Sequence, residues 1–350
     1  MKQVFRVGIA GGGFGARVHA PLMRAHGGFE PVAVASLNGG DLEGIRRTSG
    51  VEAVVDGYPA LLELDLDLVV VASHPGLHRP LTEAALQRGV HVLCEKPMAI
   101  DAEEAEAMEA LRSALGLVGA ITFEFRFRPA RQAVRRLIAE GRLGRLLHIA
   151  YTGREPRYRA LAAEPLGWLA RRAQGGGRLG ALGSHMFDSL RFWTGDEPAE
   201  LQAQLATHVP QGPKGERRDA DDGFQIVGRM RSGATFMFDY LSASHQPSGW
   251  HLEVHGSEGL LRMEDDQVVG FLPAGGAWQE IQLPKAASAG LSGSAASYES
   301  AMLPFLDRLH LALVHGEAPG DLPVFQDGAQ VQRLLDAARR SSETGRREQV

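Results

Sequence analysis

Hydrophobic positions along this chain follow two rhythms, and the change between them comes near residue 120. Before it, short apolar runs alternate with stretches of helical spacing. FRVGIAG, EPVAVAS, EAVVD, LDLVVVAS and VHVLCEK read as strands. ARVHAPLMRAH, GGDLEGIRRTSG, PLTEAALQRG and DAEEAEAMEALRSALG read as helices, the last with Asp101 as its N-cap. Continuously apolar strands joined through helices predict a parallel sheet buried on both faces, in a doubly wound α/β arrangement.

After residue 120 the grammar changes. RPARQAVRRLIAEGRLG is a helix with a glycine stop. RLLHIAYTG, AELQAQLATHV, GFQIVGRMRSG, ATFMFDYLSAS, WHLEVHGSEG and LLRMEDD then follow as strands, with RSGATF and GSEGLL as glycine turns. Such turns between alternating runs predict antiparallel pairing. The expectation is a first domain over 1–120 and a second, α+β, over 121–350 with a large, open, mainly antiparallel sheet. The closing helices, YESAMLPFLDRLHLALVHG and FQDGAQVQRLLDAARRSSETG, are able to pack on either domain. The stretch 273–297, rich in Ala, Gly and Ser, predicts a mobile loop.

Composition narrows the field further. The chain has 350 residues, 44% of them hydrophobic and 23% charged, enough for two cores. Its net charge of −5 supplies no attraction for nucleic acid or an anionic membrane. The single cysteine, Cys94, excludes an intramolecular disulfide and a Cys-based zinc site. MKQVFRVGIAGGG leads directly into a strand and a glycine turn, and no run is long enough to span a bilayer. A soluble cytoplasmic protein is expected.

The first candidate chemistry lies in VGIAGGGFGARVHAP. Gly11-x-Gly13-x-x-Ala16, with Phe14 and Gly15 inside it, follows a strand and starts a helix. Gly11 permits the tight turn, Gly13 lets a pyrophosphate approach the backbone, and Ala16 allows close helix–strand packing. The helix N-terminus offers N–H groups and a positive dipole end to phosphates. A nicotinamide dinucleotide is the expected cofactor, and the first domain is read as a Rossmann domain. The second strand ends in Ser36, Leu37 and Asn38, with no carboxylate to hold an adenosine ribose. That somewhat favours NADP over strict NAD use.

Ligands in such sheets lie beyond the carboxyl ends of the strands. Two segments fall there: VASHPGLH, with Ser73, His74 and His78, and CEKP, with Glu95 and Lys96. The spacing of His74 and His78 admits a metal pair. The proline and glycine between them, and the lack of a third ligand, favour a nicotinamide-pocket lining or a helix cap.

Six segments in order resemble the Gfo/Idh/MocA oxidoreductase family: VGIAGGGFGARVHAP, VVVASHPGLH, VHVLCEKPMAI, FEFRFRPA, GGGRLGALGSHMFD and FQDGAQVQRLLDAARRSS. The resemblance covers nearly the whole chain. It implies NAD(P)-linked hydride transfer at a secondary alcohol or ketone of a sugar, cyclitol or related compound. It makes Lys96 the residue that reaches the substrate hydroxyl and the nicotinamide ribose, turned by a proline that is often cis. A partly desolvated lysine there is able to exchange protons near neutral pH. His185 matches the family's general base, whereas Ala181 stands where the family has aspartate. Asp188, three residues beyond His185, is a candidate support or substrate contact. Alternation in FEFRFRP places Glu124, Arg126 and Arg128 on one face, with Arg126 as a substrate contact. Tyr151 and Trp168 are further substrate candidates, near Arg154, Arg157 and Tyr158.

Ala181 also motivates an alternative, a catalytically silent NAD(P)-binding regulator or sensor of the same fold. A third reading has a retained cofactor reduced and reoxidised within one cycle. Relatives use the open sheet to form dimers or tetramers, so a homo-oligomer is expected.

Overall fold

The computed structural model describes residues 3–285 and 288–350. Those residues form two compact units, one within Met1–Phe127 plus Ala286–Gln330 and one within Arg128–Lys285 plus Val331–Val350.

The first unit is built on six strands: β1 (Phe5–Ala10), β2 (Phe29–Ser36), β3 (Ala53–Asp56), β4 (Leu68–Val71), β5 (His91–Cys94) and β6 (Gly119–Ile121). All pairings are parallel and the order is β3-β2-β1-β4-β5-β6. The apolar runs are buried on both faces: every residue of β4 is inaccessible to water. Helices α1 (Ala20–His26), α2 (Leu42–Ser49), α3 (Tyr58–Leu62), α4 (His78–Gln87) and α5 (Ala102–Leu115) connect them. Asp101 caps α5 as expected, its carboxylate accepting the Glu104 N–H at 2.9 Å. The helix after the glycine turn begins instead as a π-helical turn, Gly15–His19, before α1. Such wide turns are rare and recur at functional sites.

In the second unit, α6 (Pro129–Ala139), α7 (Tyr158–Ala163) and α8 (Ser184–Thr194) accompany a nine-stranded sheet. Its strands are β7 (Leu146–Arg154), β8 (Pro198–Ala206), β9 (Gly223–Met230), β10 (Thr235–Leu241), β11 (Gly249–Gly256), β12 (Gly259–Glu264), β13 (Val268–Pro273), β14 (Gln279–Glu280) and β15 (Glu348–Gln349). The order is β14-β13-β12-β11-β7-β10-β9-β8-β15. The expected hairpins β9–β10 and β11–β12 are antiparallel, and among the described strands of this sheet only β7–β10 pairs in parallel. Alternation along β7 buries Ile149 and Tyr151 while His148, Ala150 and Thr152 face outward. One face of the sheet is thus cored and the other open.

Two helices close the chain, α9 (Gly293–His315) and α10 (Phe325–Thr344). Met302, Phe305, Leu306 and Leu309 of α9 are fully buried in one cluster with Val7, Ile9 and Val70 of the parallel sheet. The first core therefore takes in a helix that a division at residue 120 would assign to the second domain. Each such buried side chain is worth about 1.5–3 kcal/mol, which no surface contact would match. Within the expected loop 273–297, Gln279 and Glu280 pair with β13 and Gly293 onward is helical; Ala286 and Ala287 lie outside the described residues.

Candidate active site

The carboxyl ends of β1, β4 and β5 lie in line, because Ala10 pairs with Val71 and Val71 with Cys94. The glycine turn leaves β1 at this edge. Gly11 has φ 131°, and a Cβ there would stand 2.4 Å from the Ala72 carbonyl oxygen. Only glycine fits that close approach. Gly13 is exposed, and a Cβ added to it would meet nothing within 4 Å. Its backbone is open to a ligand from outside. Close packing on the strand falls chiefly to Gly15, where a Cβ would lie 2.6 Å from Ile9 Cγ2; Ala16 is fully buried beside it. Phe14 packs edge-on against His19 and Tyr298, which fixes the turn from within.

Beyond β4, Ser73 is half-buried and its hydroxyl donates to the His74 carbonyl at 3.2 Å. His74 holds Nδ1 out of water with no hydrogen-bond partner, and burial pushes its imidazole below the usual histidine range. Beyond β5, Glu95 is buried. Its Oε1 lies 2.8 Å from His19 Nε2, and its Oε2 accepts the Lys96 backbone N–H at 3.2 Å. Burial works to raise the Glu95 carboxyl, yet His19 first and then Lys96 hold it below the usual range. Lys96 is half-buried, and the Lys96–Pro97 peptide is cis.

Two expected cofactor contacts have their polar atoms turned to backbone groups. Ser36 is buried at the end of β2, where its hydroxyl accepts the Gly40 N–H at 3.1 Å and closes a turn. His78 is wholly buried, with Nδ1 3.1 Å from the Pro97 carbonyl and Nε2 3.1 Å from that of Ser73. Both ring nitrogens face backbone carbonyls, and burial pushes the imidazole below the usual histidine range, so the neutral ring donates to one loop and packs against the other. Sequence reasoning also passed over His19, although it stands in the quoted glycine segment; its carboxylate partner is 76 residues away.

The expected substrate residues are divided between the units: Arg126 belongs to the first, and Tyr151, Trp168 and Asp188 to the second. Glu124–Phe127 is a 3-10 turn, not a strand, so alternate residues do not share a face. Arg126 is buried in the first unit, 3.3 Å from Asp327, and is not part of the sheet domain. Tyr151 is core. Arg131 donates to its hydroxyl, and its ring packs on Trp193 and Trp250. Arg131 also donates to Ser189 at 2.6 Å and Asp266 at 2.8 Å, and Arg128 reaches Asp266 at 2.7 Å. Burial works to raise the Asp266 carboxyl, but these two guanidinium groups hold it below the ordinary range. The network ties α6, α8, β7 and the β12–β13 turn together. Trp168 is half-buried in a 3-10 turn, and Arg154 is ion-paired to Asp239.

His185 and Asp188 are both buried on α8 in the second unit. A second π-helical turn, Leu179–Gly183, precedes α8 and contains Ala181. Asp221 caps that turn, accepting the Leu179 N–H at 2.7 Å, directly against Gly177. Burial pushes its carboxyl up to about 6.

A parallel sheet in this strand order, opened by a glycine turn that leaves Gly13 bare, is a dinucleotide-binding frame. Residues 5–122 match the family model described as the oxidoreductase family with NAD-binding Rossmann fold, and residues 131–262 match the Gfo/Idh/MocA C-terminal domain. The chain belongs to the Gfo/Idh/MocA family of oxidoreductases. It is 33% identical to 1,5-anhydro-D-fructose reductase of Ensifer adhaerens, over 75% of this chain and 77% of that one. To inositol 2-dehydrogenase of Rhizobium meliloti (strain 1021) it is 29% identical, over the same shares. Among solved structures, an oxidoreductase domain protein from Kribbella flavida aligns at TM-score 0.89 and 26% identity, with 100% of both chains covered.

Proposed function

We propose that this oxidoreductase moves a hydride between a nicotinamide cofactor and a secondary alcohol or ketone of a sugar, cyclitol or close derivative. The observation that carries the reading is the shared sheet edge. The glycine turn, the unpartnered Nδ1 of His74 and the Lys96 loop all leave the carboxyl ends of neighbouring strands in one unit. The names of the relatives, a sugar reductase and a cyclitol dehydrogenase, support the substrate class.

The turn Gly11–Ala16 would hold the pyrophosphate through its backbone, and Ser73 and His74 would border the nicotinamide. The bound cofactor accepts or supplies the hydride. Lys96 would hold the substrate hydroxyl and relay its one proton, with His185 as the general base that receives it. No carboxylate at the end of β2 excludes a 2′-phosphate: Asp41, the nearest in sequence, is engaged as the N-cap of α2. NADP is therefore an acceptable cofactor beside NAD. No helix among the described residues is long and apolar enough to cross a membrane. The open face of the large sheet, which exposes Val227 and His251, supports a homo-oligomer, and light scattering on the purified protein tests it.

The decisive experiment measures reduced nicotinamide. NAD and NADP are offered with a panel of sugars, anhydro-sugars and inositols, and the reverse reaction with the matching ketones. A fall in turnover of about a hundredfold or more in Lys96→Met, with a measurable remainder, supports the assignment. Tight NADH or NADPH binding with no turnover in either direction would return the protein to the silent regulator that Ala181 suggests.

A further inference from the structure

The loop that carries Lys96 is gripped on both sides by a buried histidine. On the amino side, His19 is fully buried in the π-helical turn that follows Gly15, with its Nε2 2.8 Å from Glu95 Oε1. The other Glu95 oxygen accepts the backbone N–H of Lys96 itself, at 3.2 Å. On the carboxyl side, His78 places Nδ1 3.1 Å from the Pro97 carbonyl and 3.3 Å from that of Met98. Its Nε2 faces the Ser73 carbonyl in the neighbouring loop. Glu95, Pro97 and Met98 thus each face one of two imidazoles, and Lys96 between them is held through the Glu95 carboxylate.

We propose that His19 and His78 are positioning residues for the reaction, which fix the lysine peptide against the glycine turn and the His74 loop. The proposal rests on the reading of Lys96 as the proton-handling residue. His19 belongs to the helical turn that begins at Gly15, and through Glu95 it reaches the lysine peptide. A change in how the turn sits is therefore transmitted to the lysine backbone. The long lysine side chain has four rotatable bonds, so anchoring its peptide limits the volume its ammonium searches. Neither histidine needs to touch substrate or cofactor.

The test uses the whole chain with a substrate found in the panel. His19→Met and His78→Met fill the buried space without a hydrogen-bonding nitrogen, whereas His19→Gln keeps a donor within reach of Glu95. The methionine variants are expected to lower kcat about tenfold or more with KM changed less than about threefold, because the lost interaction concerns the reacting geometry. His19→Gln should recover most of the loss. In a Lys96→Met background the histidine changes should add nothing further, since residues acting through one group are non-additive.

A folded His19→Met or His78→Met that retains full, Lys96-dependent turnover overturns the proposal. So does a loss that simply multiplies with that of Lys96→Met. Lys96→Met with undiminished turnover is a different result, which removes the reading of Lys96 itself. Should one methionine variant fail to fold, the other histidine and His19→Gln carry the same comparison.

Discussion

An alanine at Gly11 would set its Cβ 2.4 Å from a backbone oxygen, on a chain already at φ 131°. The same change at Gly13 would meet nothing within 4 Å. The two substitutions should therefore separate folding from binding. Gly11→Ala is expected to cost roughly 2–3 kcal/mol of stability, read as a lower denaturant midpoint. Gly13→Ala should unfold like the parent and weaken NADH binding about tenfold, or about 1.4 kcal/mol, by fluorescence titration. The glycines were legible because their sequence spacing carries their chemistry. His19 was not: a buried histidine has meaning only through its partner, and nothing local to residue 19 points to Glu95. Tyr151 and Ser36 show the converse. Each stands beside residues of interest in sequence, yet the side chain turns inward, to Arg131 and to Gly40 respectively.

Among the elements, the second π-helical turn and α8 carry His185, and Asp221 holds their start. Its folded value of about 6 lies above the ordinary carboxylate value of 3.8. The protonated form is thus favoured by folding. The stability this contributes is fully present below 3.8 and is lost as pH rises through about 6. Each pH unit of such a difference is worth about 1.4 kcal/mol, so with partial solvent access the loss is about 2 kcal/mol. Asp221→Asn, which does not titrate, should gain about that much on the parent between those pH values, as seen in melting temperatures. The α6–α8 network behaves otherwise. Arg131→Met leaves Asp266 buried beside Arg128 alone, and a broken buried pair costs about 3–5 kcal/mol, measurable by urea unfolding. The hydrophobic rhythm foretold most strands and helices, because a period of two or 3.6 is a local property. It missed β6, β13, the two-residue strands β14 and β15 and the short helices α3 and α7, which are too short or too irregular to show a period.

For the whole molecule, the chain enters the first unit twice, before residue 127 and again in the segment carrying α9. A fragment of residues 1–127 lacks Met302, Phe305, Leu306 and Leu309 from its core. It should show no cooperative thermal transition and no NADH binding, whereas the full chain shows both. Circular dichroism during heating decides the first and titration the second.

What the sequence determined by itself is whatever depends on near neighbours: the parallel and antiparallel halves, the glycine turn, the capped α5, and a lysine placed where an apolar strand ends. These follow from periodicity and from backbone sterics, which act over a few residues. Tertiary structure alone decided which core received α9, which carboxylate His19 meets, and that Arg126 and Tyr151 are spent on internal partners. Those outcomes depend on burial and on hydrogen bonds between residues tens of positions apart. No local pattern encodes them.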